Sequence, residues 1–187
     1  MRALLAFLLI GVSLWARNAP VDTSTPIGEA FVRMYNFDFR GAHAILDRQI
    51  ARDPQCAVPH AVKAAAYLFS ELDRLRILQI EFFQDDDRVI DRGRLKPDPA
   101  LHDEFMRQIA MARERANARL AAHPDDREAL FTLGMCAGLA TDYAALVERR
   151  RLGSFALAKQ SQAYVLKLLA LNPPYYDAHL TAGSFEY

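Results

Sequence analysis

Three prolines constrain this chain more than any other feature. Each closes a two-residue phrase, Asp53-Pro54, His123-Pro124 and Asn172-Pro173. Behind each runs an amphipathic stretch rich in alanine and leucine: Ala42, Leu46 and Ile50; Ala112, Ala116 and Leu120; Val165, Leu168 and Leu169. Proline pushes the residue before it out of helical backbone, so each phrase ends one helix and opens a turn. Downstream, small residues recur in register. Ala129 and Ala178 stand five residues after the second and third prolines, Gly134 and Gly183 ten after, and Ala64 ten after Pro54. A small residue at a fixed place on a helix lets a neighbouring helix approach closely. The pattern predicts paired helices separated by proline turns and stacked on one another.

Helix starts reinforce this. Thr25-Pro26 sets a capping hydroxyl before a proline at the first helical position, where a missing N–H is harmless. Asp98-Pro99 repeats the device and predicts a helix running to about Ala122. On it Phe105, Ile109, Ala112, Ala116 and Leu120 fall at spacings of three and four, with Arg107, Arg113, Glu114 and Arg119 between them. No stretch alternates apolar and polar residues between turns, so the fold class is all-α.

Leu130, Leu133-Gly134 and Ala137 after Pro124, Ala42 and Leu46 before Asp53-Pro54, and Ala178 with Gly183 together resemble the tetratricopeptide repeat family. That family's unit of about 34 residues carries leucine-glycine in its first helix and a terminal proline. The resemblance covers most of residues 27–187. It implies stacked antiparallel helical hairpins in a right-handed superhelix, packed through Ala42, Leu46, Pro54, Pro124, Ala129, Leu133, Gly134, Pro173, Ala178 and Gly183. It also implies an interaction scaffold. The spacing departs from the family: Pro54 to Pro124 is 70 residues and Pro124 to Pro173 is 49. The excess predicts long inserts between helices. In the first interval these are an extended helix over 72–83 and a charged loop over 84–97. In the second, the insert is 141–153, with Glu148-Arg149-Arg150-Arg151.

Residues 1–16 combine Arg2 with an apolar run that Arg17 and Asn18 end. This is the pattern of a secretory signal, and it is shorter than the roughly 20 residues a spanning helix needs. Ala16 suits a cleavage site but bulky Leu14 does not, which leaves removal and retention as an N-terminal anchor both open. Residues 17–25 read as a flexible leader and 26–187 as the helical-repeat domain. Tyr175 to Tyr187 reads as the first helix of a pair with no partner after it. Phe185 and Tyr187 are then exposed, unless the chain continues or a partner covers them. Export permits a bridge between Cys56 and Cys136. The apolar context of residues 133–139 instead makes Cys136 a small buried side chain.

The 23 basic and 23 acidic side chains cancel, which removes the field that draws proteins to nucleic acid or anionic membranes. One arginine run, Arg149 to Arg151, is no nucleic-acid patch. His43, His60, His102, His123 and His179 include no pair four apart and no His-Glu-x-x-His, so no metal site is indicated. The acids Asp85, Asp86, Asp87, Asp91 and Asp98 miss the calcium-loop spacing: counted from Asp85, position six is Ile90 and position twelve Lys96. Gly-x-Ser-x-Gly, Ser-x-x-Lys and glycine-rich phosphate loops are absent, so no catalytic residue and no cofactor is indicated. The expectation is an exported protein, periplasmic or extracellular, that is a non-catalytic scaffold for a protein or peptide partner. Membrane contact would come only through retained residues 1–16. Tyr35, Tyr67, Tyr143, Tyr175 and Tyr176 are the candidate partner-binding residues, since tyrosine offers both an apolar face and a hydroxyl. The alternative is a small-molecule or glycan-binding protein that uses the charged inserts as a lid. A third reading is a hydrolase whose catalytic groups lie beyond residue 187.

Overall fold

The computed structural model describes residues 24–78 and 96–183, and among them every regular element is helical. The helices are α1 (Pro26–Tyr35), α2 (Phe39–Arg52), α3 (Val58–Arg74), α4 (Pro99–Ala122), α5 (Arg127–Asp142), α6 (Arg151–Leu171) and α7 (Tyr176–Gly183). A π-helical turn, Tyr143–Val147, prolongs α5. Residues 1–23, the acids Asp85 to Asp91, and Phe185 and Tyr187 lie outside the described residues.

The two predicted starts are present. The Thr25 hydroxyl accepts from the Gly28 N–H at 3.0 Å, and the Asp98 carboxylate accepts from the N–H groups of Ala100 and Leu101 at 2.8 and 3.3 Å. Asp38 and Asp126 cap α2 and α5 in the same way, accepting from Gly41 and Ala129. Each of these caps satisfies N–H groups that a helix start leaves without an intrahelical partner.

The proline turns share one backbone. Asp53, His123 and Asn172 stand at φ/ψ of −139/88, −137/87 and −147/80. Each donates its N–H to the carbonyl four residues back. Each carbonyl then accepts from the N–H three residues on, in Cys56, Asp126 and Tyr175, at 3.0 to 3.2 Å. Proline suits the second position of such a turn because its φ is already set.

Helices α1 and α3 end differently, and without a glycine. Past α3 the Arg76 N–H reaches the Asp73 carbonyl and the Ile77 N–H the Leu72 carbonyl, both at 2.8 Å, with Arg76 left-handed at φ 57°. Past α1, Phe37 and Asp38 do the same around Phe37 at φ 59°. These paired bonds are the motif that usually recruits glycine. Two predictions need correction here. The extended helix over 72–83 is broken after Arg74, because this reversal turns the chain and brings Ile77 into the cluster of Leu72; residues 79–83 lie outside the described residues. The insert 141–153 is no separate loop: it is the end of α5, the π turn, a short link through Arg149 (φ 57°) and the start of α6.

Consecutive helices pack on one another, and α3 also contacts α1 and α5. The α3–α4 connection is pinned where it re-enters: Arg74 donates to the Lys96 carbonyl, and the Asp98 N–H donates to Glu71, both at 2.9 Å. Every residue of α3 from Pro59 to Ala66 is buried. Leu68, Leu72, Phe105, Ile109, Cys136 and Tyr143 form the central cluster, and Leu130, Val165, Leu168 and Ala178 join α5, α6 and α7. By length and composition alone, Arg127–Val147 is apolar enough to cross a bilayer; here its apolar side chains pack on α3, α4 and α6.

Of the repeat-packing residues, Ala42, Leu46, Ala129, Leu133 and Ala178 are at most 1% exposed. Gly134 is buried with its carbonyl accepting from the Ser161 hydroxyl at 2.9 Å. Pro54, Pro124 and Pro173 are exposed at the turns, and Gly183 ends α7.

A candidate functional site along helix α3

Helix α3 carries His60, Lys63, Tyr67 and Glu71 at spacings of three and four, which places all four on one face. On an ordinary surface helix that face would be wet. Here α2 and α4 both pack on α3, and they supply the partners of His60, Lys63 and Tyr67, so these polar groups are met within the protein.

His60 is 1% exposed, and its Nδ1 lies 2.7 Å from Oε1 of Gln108 on α4. An amide oxygen only accepts, so Nδ1 carries the proton and Nε2 is a bare acceptor. That Nε2 is buried with no partner. Burial pushes the His60 imidazole below its ordinary range, against the opposing effect of the Gln108 bond. Lys63, 8% exposed, donates to Asp47 of α2. The Tyr67 ring packs on His43 of α2 with centroids 4.2 Å apart, and its phenol is pushed up by burial and by nearby Glu104. Glu104 of α4 takes Arg107 as its partner, and Arg107 holds its carboxyl below the usual carboxylate range. His43 has a buried Nδ1 without a partner, and burial, together with Lys63, lowers its pKa.

At the far end, Glu71 is fully buried. Its carboxylate takes both Nε and Nη2 of Arg74 at 2.7 Å, plus the Asp98 N–H. The seam is thus closed at both ends and opens in the middle. There the side chains of Asp47, Glu104 and Arg107 are 57%, 39% and 52% exposed around a floor of Lys63 and half-buried Tyr67. The mouth offers alternating charges beside a tilted pair of rings, a surface that can make hydrogen-bonded and charge-matched contacts.

The five candidate tyrosines do not gather. Tyr67 is in the seam. Tyr35 and Tyr176 are exposed at the end of α1 and the start of α7, and Tyr175 is half-buried against Phe131 with centroids 5.2 Å apart. Tyr143 is corrected: at 3% exposure, stacked on Phe105 at 4.7 Å, it belongs to the core. Its hydroxyl is buried without a partner, and burial pushes it up to about 12. Sequence reasoning missed His60, Lys63, Glu71 and Gln108. Their signal was the matching period on three helices: His43 and Asp47, His60 to Glu71, and Glu104 and Gln108.

Two open depressions lie at the proline turns. One of about 480 Å³ is lined by Asp125 to Glu128 and Tyr175, the other of about 380 Å³ by Pro26, Gln49, Arg52, Asp53, Cys56 and Pro59. Among the described residues no three of His, Cys, Asp and Glu are grouped to hold a metal ion. Cys56 and Cys136 are both free thiols, and Cys136 is fully buried. No known protein family, curated protein or solved structure matches this chain.

Proposed function

We propose that the chain is a non-catalytic interaction module of tetratricopeptide-repeat type, and that it holds a polypeptide partner across the mouth of the α3 seam. The observation that carries this reading is the seam itself: Lys63, Tyr67, His43, Asp47, Glu104 and Arg107 converge from three helices on one solvent-reached spot. The repeat reading is supported by the three proline turns of common backbone and by the buried small residues behind them. A rigid helical array displays such a spot at little ordering cost, which favours affinity. The lid reading has less support, since the second insert is mostly helix; the first, over 84–97, lies outside the described residues up to residue 95.

Site-specific photocrosslinking in the full-length chain tests the proposal. A photoreactive residue at Arg107 or Asp47 is expected to attach to a discrete polypeptide in the native compartment, and the same residue at Asn117 on exposed α4 surface is not. Adding Tyr67→Ala is expected to abolish the adduct while leaving the circular dichroism spectrum unchanged. Equal labelling at all three positions, or none at the mouth, rejects the proposal.

A further inference from the structure

The seam holds two imidazoles with no place for a second proton. The Gln108 oxygen already takes the proton on His60 Nδ1, so a second one must sit on buried, unpartnered Nε2. The charged groups that face this ring are Lys63 from α3 and Arg107 and Arg115 from α4, all cations. His43 is faced by Lys63 and Tyr67 from α3, Asp47 from α2 and Glu104 from α4. Both acids are already engaged, Asp47 by Lys63 and Glu104 by Arg107. An added charge at either ring therefore meets desolvation with no free counter-ion.

We propose that the seam is an acid-sensitive latch: protonation of His60 and His43 releases α4 and α2 from α3, while the α5–α6 packing stays closed. Burial holds both rings below the range near 6.5 that they have when unfolded. The unfolded or opened chain therefore binds the extra protons. The stability contributed by the closed seam is full above about pH 6.5 and is lost as pH falls below it. Helices α5 and α6 contain no histidine, and their contact rests on Leu130, Val165 and Leu168 and on the Ser161 bond, none of which titrates. His102 stands outside the seam, partly exposed, with Asp103 and Glu148 beside it.

Hydrogen exchange of the full chain, corrected for intrinsic rates and compared between about pH 7.5 and about pH 5, reads this directly. Exchange is expected to rise severalfold in peptides covering 39–52, 58–67 and 104–112, and to stay flat in 129–137 and 161–168. In the His43→Gln/His60→Gln chain the rise is expected to vanish, and in His102→Gln to persist. A rise shared equally by all helices, or one that survives the double substitution, overturns the latch. Ring-proton NMR titration of the unsubstituted chain gives a second reading that needs no variant. Two imidazoles titrating below 6.5 support the latch, and a seam imidazole titrating at or above 6.5 overturns it.

Discussion

Arg76 stands at φ 57° in the position where helices most often place glycine, and so do Phe37 and Arg149 after their own helical segments. For an L-residue this conformation costs about 1 kcal/mol or more, which the paired backbone bonds and the burial of Ile77 against Leu72 outweigh. Arg76 is exposed, and the backbone bond that its N–H makes to Asp73 does not depend on its side chain. Replacing it with glycine is therefore expected to stabilise the chain by about 1 kcal/mol, measured as a rise in the denaturant midpoint at unchanged slope. Phe37→Gly is expected to gain less, because the Phe37 ring also meets Phe39 edge-on at 6.2 Å.

Between elements, the three proline turns repeat in their contacts as well as in their backbone. The carbonyl of Pro54 accepts from Arg115 of α4 at 2.5 Å, that of Pro124 from Lys167 of α6 at 2.7 Å, and that of Pro173 lies 2.7 Å from Nε2 of His179. The first two tie each turn to the next even-numbered helix, so a turn fixes the pairing on both sides. The contact of α5 with α6 rests on Gly134, where a Cβ would lie 3.1 Å from Cγ2 of buried Val165. One turn later, at Gly138, the nearest atom is 3.6 Å away. Alanine raises helix propensity at both positions by about 1 kcal/mol. At Gly138 that gain stands, and the substitution is expected to stabilise. At Gly134 overpacking against a stiff β-branched side chain, about 1–3 kcal/mol, outweighs it. Thermal melts of the two variants should move in opposite directions.

On the scale of the whole molecule, α3 is the organising helix, buried over its first half and touching α1, α2, α4 and α5. Cys136 lies in the cluster where α3, α4 and α5 meet and is inaccessible, its thiol pushed up to about 12 by burial. It has no route to reaction without opening that core. Alkylation of Cys136 under native conditions is expected to track global unfolding across a denaturant series, well behind half-buried Cys56. Labelling of Cys136 at a rate independent of denaturant contradicts this account of the core.

Helical character, the starts at Pro26 and Pro99 and the three proline turns were all legible in sequence. Each is a local matter: a proline without an N–H, a hydroxyl or carboxylate within reach of free N–H groups, an apolar period of 3.6. The ends of α1 and α3 were not legible, because Phe37 and Arg76 occupy positions whose usual sign is glycine and are held there by paired backbone bonds, helped past α3 by the burial of Ile77. The seam was half legible. His60, Lys63, Tyr67 and Glu71 announce a polar face in any reading of α3, and such a face ordinarily meets water. Whether it meets water or other helices depends on contacts between residues as far apart as His60 and Gln108, 48 positions in sequence. Local chemistry in the sequence therefore determined where helices begin and turn. Only the packing of α2 and α4 over α3 decided that its polar face became a buried, partnered seam, because burial belongs to the assembled layers and to no single segment.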